Sequence, residues 1–457
     1  MALDTEIITL LQREFPQRSI LHDSANFEEY VRDATEIDHI PDMVAFPENA
    51  EEVARAIELS RRFHFPIIAR GAGTGFSGGA VAIRGGVILS LERMNRILDL
   101  DPERRTALVE PGVITYDLDR AANKHGLFYP PDPASHKEST LGGNLAECAG
   151  GLRCLKYGVT KDYVLGIEYL DSWAEFHFAG SLSDAAESCD MTSLMIGSEG
   201  TLGIVTKMHL KLLPIPEARR TFLYTFTEEV DAAEAVSAIR KAGIVPCVME
   251  FLDRNALESV VSYLKLTEMP HAAAMLLVEL DGTTDQVERD AEAVEGLVSQ
   301  FNPVIARRTG DDDEREKLWE LRRELSNAIK KNSEVKTSED VCVPLTKFVT
   351  LITRIREIAN RQDLRTASFG HAGDGNLHVC FIIPELSEDI TNRMETAKAD
   401  LLRATLDMGG TISGEHGIGF TKRDFLCEEV GEDVIELFGL VKKSFDPDNL
   451  INPGKII

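Results

Sequence analysis

The chain has 457 residues, too many for one hydrophobic core, so two or three domains are expected. Its residues are 43% hydrophobic and 27% charged, as in ordinary globular proteins. A formal net charge of −27 argues against nucleic acid as a partner, because phosphate binding needs a basic face; an anionic substrate would need only a local basic pocket.

Residues 1 to about 40 read as a helical lead-in. The run Asn49-Ala-Glu-Glu52 resembles a capping box, and Val53, Ala56 and Ile57 share one face of the helix it opens, which is expected to end near His64. Pro66 to Ala69 reads as a short buried strand. The glycine stretch Arg70-Gly-Ala-Gly-Thr-Gly-Phe-Ser-Gly-Gly79 follows, and strand signals return at Ala80–Ile83 and Val87–Ser90. A dinucleotide fingerprint of the Rossmann type needs a helix directly after its glycines. None is expected here, so the stretch reads as an open loop whose backbone amides form an anion nest. Thr106 to Val109 is a further strand. Two more glycine-rich regions occupy residues 126–158 and Ile196 to Val205. After Pro214 the texture changes to strands, such as Thr221–Phe226 and Ala272–Glu279, alternating with charged helices such as Asp285–Phe301. Asp424 to Phe445 is helical, and Asp446 to Gly454 closes the chain as an extended tail.

The seven cysteines form no CxxC pair, and their odd number in a long chain reads as reduced thiols of a cytoplasmic protein. An iron–sulfur cluster within this chain is not expected. The N-terminus, Met1 to Ile8, resembles neither a secretory signal nor a transit peptide. The most apolar run, Ala272–Leu280, is too short to span a membrane, so any membrane association would be peripheral, at the inner face.

Three glycine-rich stretches together suggest backbone wrapped closely around a large dinucleotide, since glycine permits close approach and supplies positive φ. The second and third contain Pro131-Asp-Pro133, Gly142-Gly-Asn144, Gly150-Gly151 and Gly197-Ser-Glu-Gly-Thr-Leu-Gly203. With Arg70–Gly79 and the tail Phe445-Asp-Pro-Asp-Asn-Leu-Ile-Asn-Pro-Gly-Lys455, they resemble the FAD-linked oxidases of the vanillyl-alcohol oxidase type. The resemblance runs from Pro41 to the C-terminus and is nearer to the D-lactate dehydrogenase and glycolate oxidase large-subunit branch.

That resemblance implies an α+β protein. A two-subdomain, PCMH-type FAD-binding domain would occupy 1–215 and an α+β substrate or cap domain 216–423. A C-terminal helical segment, 424–457, would pack back on the FAD domain. It implies flavin contacts from Arg70, Gly71, Ala72, Gly73, Thr74, Gly75, Ser77, Gly78, Pro131, Asp132, Thr140, Gly143, Asn144, Gly150, Gly151, Tyr157, Gly158, Glu199, Gly200, Gly203, Ile204 and Asn452. Some relatives attach FAD through a histidine in the first glycine loop; this loop has none, so dissociable FAD is expected.

A second constellation is His371-Ala-Gly-Asp-Gly-Asn-Leu-His378 with Ser413-Gly-Glu-His-Gly-Ile-Gly419. Two histidines joined by a glycine turn, with the Glu415 carboxylate, suit a first-row divalent metal: zinc, manganese or iron. The plainer alternative is a pair of hydrogen-bonded core histidines. The resemblance makes His371, His378 and Glu415 ligands, His416 the base, and Asn376 a substrate contact. Arg322, in Trp319-Glu-Leu-Arg-Arg323, matches the family's carboxylate-binding arginine, with Lys336 and Ser326 beside it; the alternative is a solvated charged face. The implied activity is oxidation of a small 2-hydroxy acid, D-lactate or glycolate before D-2-hydroxyglutarate. The electron acceptor is left open among oxygen, a quinone, a cytochrome and an iron–sulfur partner subunit, and a homodimer is compatible with the chain. A non-catalytic electron-transfer subunit is the remaining alternative. The consecutive histidines of alkylglycerone-phosphate synthase are absent, since no two of the eleven histidines are adjacent.

Overall fold

The computed structural model describes every residue except 1, 2, 4, 16–19, 22–26, 36, 183–188, 267–271, 310–311 and 335–337. The chain divides into two compact units. Unit 1 comprises Met1–Gly150, Gly158–Ile215 and Glu415–Ile457; unit 2 comprises Gly151–Tyr157 and Pro216–Gly414.

Among the described residues unit 1 contains a four-stranded sheet, a five-stranded sheet and a two-stranded pairing of Leu127–Phe128 with Leu213–Pro214. In the first, the strands Met43–Ala45 and Ile67–Arg70 flank Val87–Ser90 and run parallel to it. The Ala50–Phe63 helix connects two of these strands and buries Val53, Ala56 and Ile57, the face expected from their spacing. Its cap is a variant of the expected box. Asn49 accepts the Glu52 amide at 2.9 Å, but the Glu52 carboxylate takes the amide of Glu48, not that of Asn49. The C-terminal tail closes the free edge of Ile67–Arg70. The Ile67 amide donates to Leu450 O at 2.8 Å, and the Asn452 amide donates to Ile67 O at 2.7 Å. The second sheet is antiparallel, ordered Ile97–Asp101, Thr106–Val109, Ile204–Lys211, Val164–Leu170, Phe176–Gly180.

The strand expected at Ala80–Ile83 does not form; only an isolated bridge joins Ile83 and Gly85. Its carbonyls find side chains in place of a ladder. Arg70 Nη1 donates to Ala80 O at 3.2 Å and Lys455 Nζ to Val81 O at 2.6 Å, and Asn452 Nδ2 takes the preceding Gly79 O at 2.9 Å. The helical C-terminus is two helices, Arg423–Val430 and Glu432–Phe445, parted at Gly431 with φ 84°.

Unit 2 is one seven-stranded antiparallel sheet carrying helices. Its order is Ile305–Arg308, Ala218–Phe226, Ala274–Gly282, Val248–Asp253, Arg365–His371, Asn376–Ile382, Glu339–Cys342. Strand side chains alternate between faces. Leu223, Val248, Leu252, Met275, Leu277 and Phe369 pack with the helices Arg254–Leu264, Asp312–Arg323 and Leu325–Lys331. On the opposite face Phe251 meets Phe348 of the Phe348–Arg361 helix edge-on, ring centroids 5.9 Å apart. Among the described residues no helix is long and apolar enough to cross a membrane.

Candidate active site

In unit 1 three of the motifs converge. The 70–79 loop is held close to the Leu141–Glu147 helix: a Cβ on Gly71 would lie 2.2 Å from the Thr140 hydroxyl, which caps that helix by accepting the Gly143 amide. Gly73 and Gly78 take positive φ, 69° and 77°. Arg70 braces the loop from behind, donating to the carbonyls of Glu29, Arg32 and Ala80. Its guanidinium is therefore committed to protein, and contacts to an anion fall to the loop amides. Burial lowers its pKa. Ala72 is exposed, Thr74 and Gly75 half-buried, so this stretch forms the open lip.

Residues 415–420 lie on the same loop. The Phe420 amide donates to Ser77 O at 2.7 Å, and a Cβ on Gly419 would lie 2.1 Å from that oxygen, so only glycine allows the approach. The His416 ring stacks on Phe76, centroids 4.8 Å apart at 29°. The Ile418 amide donates to Glu199 Oε1 at 2.7 Å, and Ser77 Oγ to Glu147 Oε1 at 2.9 Å. Glu147 and Glu199 flank Gly417, whose added Cβ would lie 2.2 Å from Glu147 Oε2 and 2.9 Å from Glu199 Oε1. Burial pushes Glu147 well up and Glu199 up to about 7. Burial also brings Lys455 down to about 8. The Oε2 atoms of both glutamates are buried without a hydrogen-bond partner. Orphaned acceptors beside a nest of loop amides suit a ligand carrying hydroxyls and phosphates, and FAD carries both.

The remaining flavin candidates divide by location. Asn144 is buried and donates to Thr115 Oγ1 at 2.7 Å. Asn452 donates to the carbonyls of Gly79 and Glu199. Gly200 lies against the Asn452 amide, and Gly203 packs its Cα on Leu170 O beside the buried Ile204. Pro131 is buried and Asp132 half-buried; Gly150 and Gly158 belong to unit 1. Gly151 and Tyr157 belong to unit 2, where the Tyr157 hydroxyl donates to Asp281 at 2.7 Å.

In unit 2 the sheet face under the Asp312–Arg323 helix carries the chemistry. Arg315, Trp319 and Arg322 recur at helical spacing and point to the sheet. Arg315 and the Trp319 indole N–H both donate to Glu279 Oε2, at 2.8 and 3.0 Å. Arg322 Nε donates to Glu250 Oε2. Arg322 is 6% exposed, which removes the solvated-face alternative. Its guanidinium lies 5.0 Å from the Phe369 ring centre, and among the described residues its Nη atoms make no protein hydrogen bond.

Glu250 stands directly opposite His371 in the register of Val248–Asp253 and Arg365–His371, and His371 Nδ1 pairs with its Oε1. Burial alone would raise Glu250; the charges of His371 and Arg322 reverse this and hold it at about 2. The His371 and His378 rings lie 5.5 Å apart at 89°, both buried. The turn between them is tight: Gly375 has φ 89°, and a Cβ there would lie 2.0 Å from Val343 O. Two buried imidazoles at this spacing, one oriented by a carboxylate, fit a divalent metal. Asn376 is buried, its Oδ1 without a partner, against Gly414. Ser326 is half-buried on Leu325–Lys331, and Lys336 lies outside the described residues. A cavity of about 520 Å³ lined by Arg365, Ile382 and Arg393 lies at the other end of the histidine strands.

Glu147, Phe76, Lys455 and Glu250 were not singled out from sequence. The last carried a signal: an acid flanked by Val248, Met249, Phe251 and Leu252 in a buried strand must have a partner.

Residues 215–456 match the family model described as FAD linked oxidases, C-terminal domain, and residues 41–177 match that of an FAD binding domain. The chain is 40% identical to glycolate oxidase subunit GlcD of Bacillus subtilis over 93% of its length and 91% of the relative's. It is 33% identical to D-lactate dehydrogenase of Anaerostipes hadrus over 99% of its length and 97% of that protein. The fold is shared with p-cresol methylhydroxylase at 18% identity, TM-score 0.82, over 99% of this chain and 96% of the other.

Proposed function

The chain belongs to the FAD-linked oxidases and is an FAD-dependent oxidoreductase, and from that premise we propose that it oxidises a small 2-hydroxy acid, D-lactate or glycolate, to the 2-oxo acid. The observation that carries this reading is a buried cation on the same sheet face as a buried histidine pair. An acid substrate needs the first, and activation of its hydroxyl benefits from a metal held by the second.

Bound FAD, non-covalently held, supplies the acceptor for the C2 hydride, and a zinc, manganese or iron ion supplies a Lewis acid for the hydroxyl. The loop amides of residues 70–79, the Thr140–Asn144 turn, and the acceptors of Glu147 and Glu199 hold the cofactor. His371 and His378, with Glu415, hold the metal. Arg322 takes the substrate carboxylate through its Nη atoms; with Nε fixed and Phe369 against its plane, the fork has one orientation. Asn376 offers its orphaned Oδ1 and its amide to the substrate oxygens. A ring nitrogen of His416 accepts the hydroxyl proton. The relatives named as oxidase subunits favour a separate electron-accepting subunit.

The test is an anaerobic visible spectrum recorded before and after adding D-lactate, L-lactate, glycolate and D-2-hydroxyglutarate in turn. Bleaching by D-lactate or glycolate is expected. A flavin band that none of them bleaches would overturn the substrate class.

A further inference from the structure

We propose that Glu250 is a positioning residue that ties the two halves of the substrate apparatus together, orienting His371 for the metal and Arg322 for the carboxylate. This rests on the functional reading above and adds to it a residue that touches neither substrate nor flavin. The geometry is specific. Glu250 is 0% exposed and sits on the central strand of the seven-stranded sheet. One oxygen, Oε1, receives His371 Nδ1; the other, Oε2, receives Arg322 Nε. Each carboxylate oxygen holds one of the two partners, so a single side chain dictates both orientations. Fixing Nδ1 selects the tautomer in which Nε2 coordinates, and makes that nitrogen a better donor. Fixing Nε aims the remaining Nη edge. The arrangement follows from strand register: Glu250 and His371 are cross-strand partners, and Arg322 reaches them because Trp319 and Arg315 pin the same helix to Glu279.

A purely structural buried ion pair would look similar at this site, so the test separates the two roles. Glu250→Gln keeps the shape but cannot accept from both partners. Glu229→Gln neutralises another buried carboxylate of the same unit, one paired with Arg356 and not with His371 or the Arg322 helix, and serves as the control. Mn²⁺ affinity is measured by calorimetry on the FAD-loaded protein, and KM and kcat are measured at saturating Mn²⁺. Glu250→Gln is expected to bind Mn²⁺ roughly 10- to 100-fold more weakly. It is also expected to keep a raised KM when metal is restored, while Glu229→Gln changes neither. Equal losses in both variants, or no loss in Glu250→Gln, overturn the proposal. Should Glu250→Gln not fold, Glu250→Asp keeps the charge and shortens the reach; unchanged Mn²⁺ affinity and KM in that variant overturn it equally. Failure of the functional reading is seen separately, as wild-type protein whose flavin no 2-hydroxy acid bleaches.

Discussion

At the scale of single residues, His416 illustrates what a motif can and cannot say. Its place in a Gly-Glu-His-Gly run suggests a base, but its setting emerges only from the fold: the ring lies flat against Phe76 of the glycine loop. His416→Ala is expected to leave flavin content unchanged and to slow anaerobic flavin reduction by about 100- to 10 000-fold, the range for a general base. Stopped-flow absorbance reads this, and an unaltered rate would leave His416 only a packing role. Glu199 makes a pH prediction. Its pKa in the fold is about 7 against 4.5 for an ordinary glutamate, so the folded flavin-free protein binds the extra proton between those values. Stability from this group is present below about pH 4.5 and is lost as pH rises to about 7. Glu199→Gln is therefore expected to raise the melting temperature of flavin-free protein at pH 8 and to leave it unchanged near pH 5. A melting temperature equally raised at both pH values would show that the carboxylate is not proton-linked to folding.

At the scale of elements, the hairpin from His371 to His378 shows why glycine spacing was informative. Gly375 at φ 89° faces Val343 O so closely that any Cβ must displace backbone. Gly375→Ala is expected to cost about 2 kcal/mol or more, from the left-handed backbone and the clash together. Metal affinity should fall with it, because this turn sets the separation of the two rings, while flavin content stays constant. Thermal melts and elemental analysis check both. The hairpin was legible because its constraints are local. The strand misread at Ala80–Ile83 was not, since its apolar run matches a strand and its carbonyls are taken instead by the Arg70 and distant Lys455 side chains. Glu250 was hidden for a related reason: which side chain faces a buried acid depends on the register between strands about 120 residues apart in sequence, and periodicity carries no register.

At the scale of the molecule, the change of texture after Pro214 marked the start of a second unit, and the family resemblance placed the chemistry in both. What composition could not reveal is that the chain visits unit 2 twice, through the short 151–157 segment and then 216–414, before returning to unit 1 at Glu415. The visit is anchored: Tyr157 and Lys156 both bind Asp281, so a segment that reads as part of a glycine-rich cofactor region is held by the other unit's sheet. Each unit has its own core, built around Val53, Ile67 and Leu89 in one and Leu252, Leu277 and Trp319 in the other. Separate cores need not melt together, and a ligand stabilises only the species that binds it. Calorimetry of the flavin-free protein is therefore expected to show two transitions, with FAD raising one of them. Residues of the glycine loop and of Glu199 identify that transition as unit 1, so Gly71→Val, whose side chain would strike Thr140, should abolish the FAD shift and leave the other transition where it was. A single transition that moves as a whole with FAD would mean that the two cores fold as one cooperative body, and that the crossing at residues 151–157 couples them.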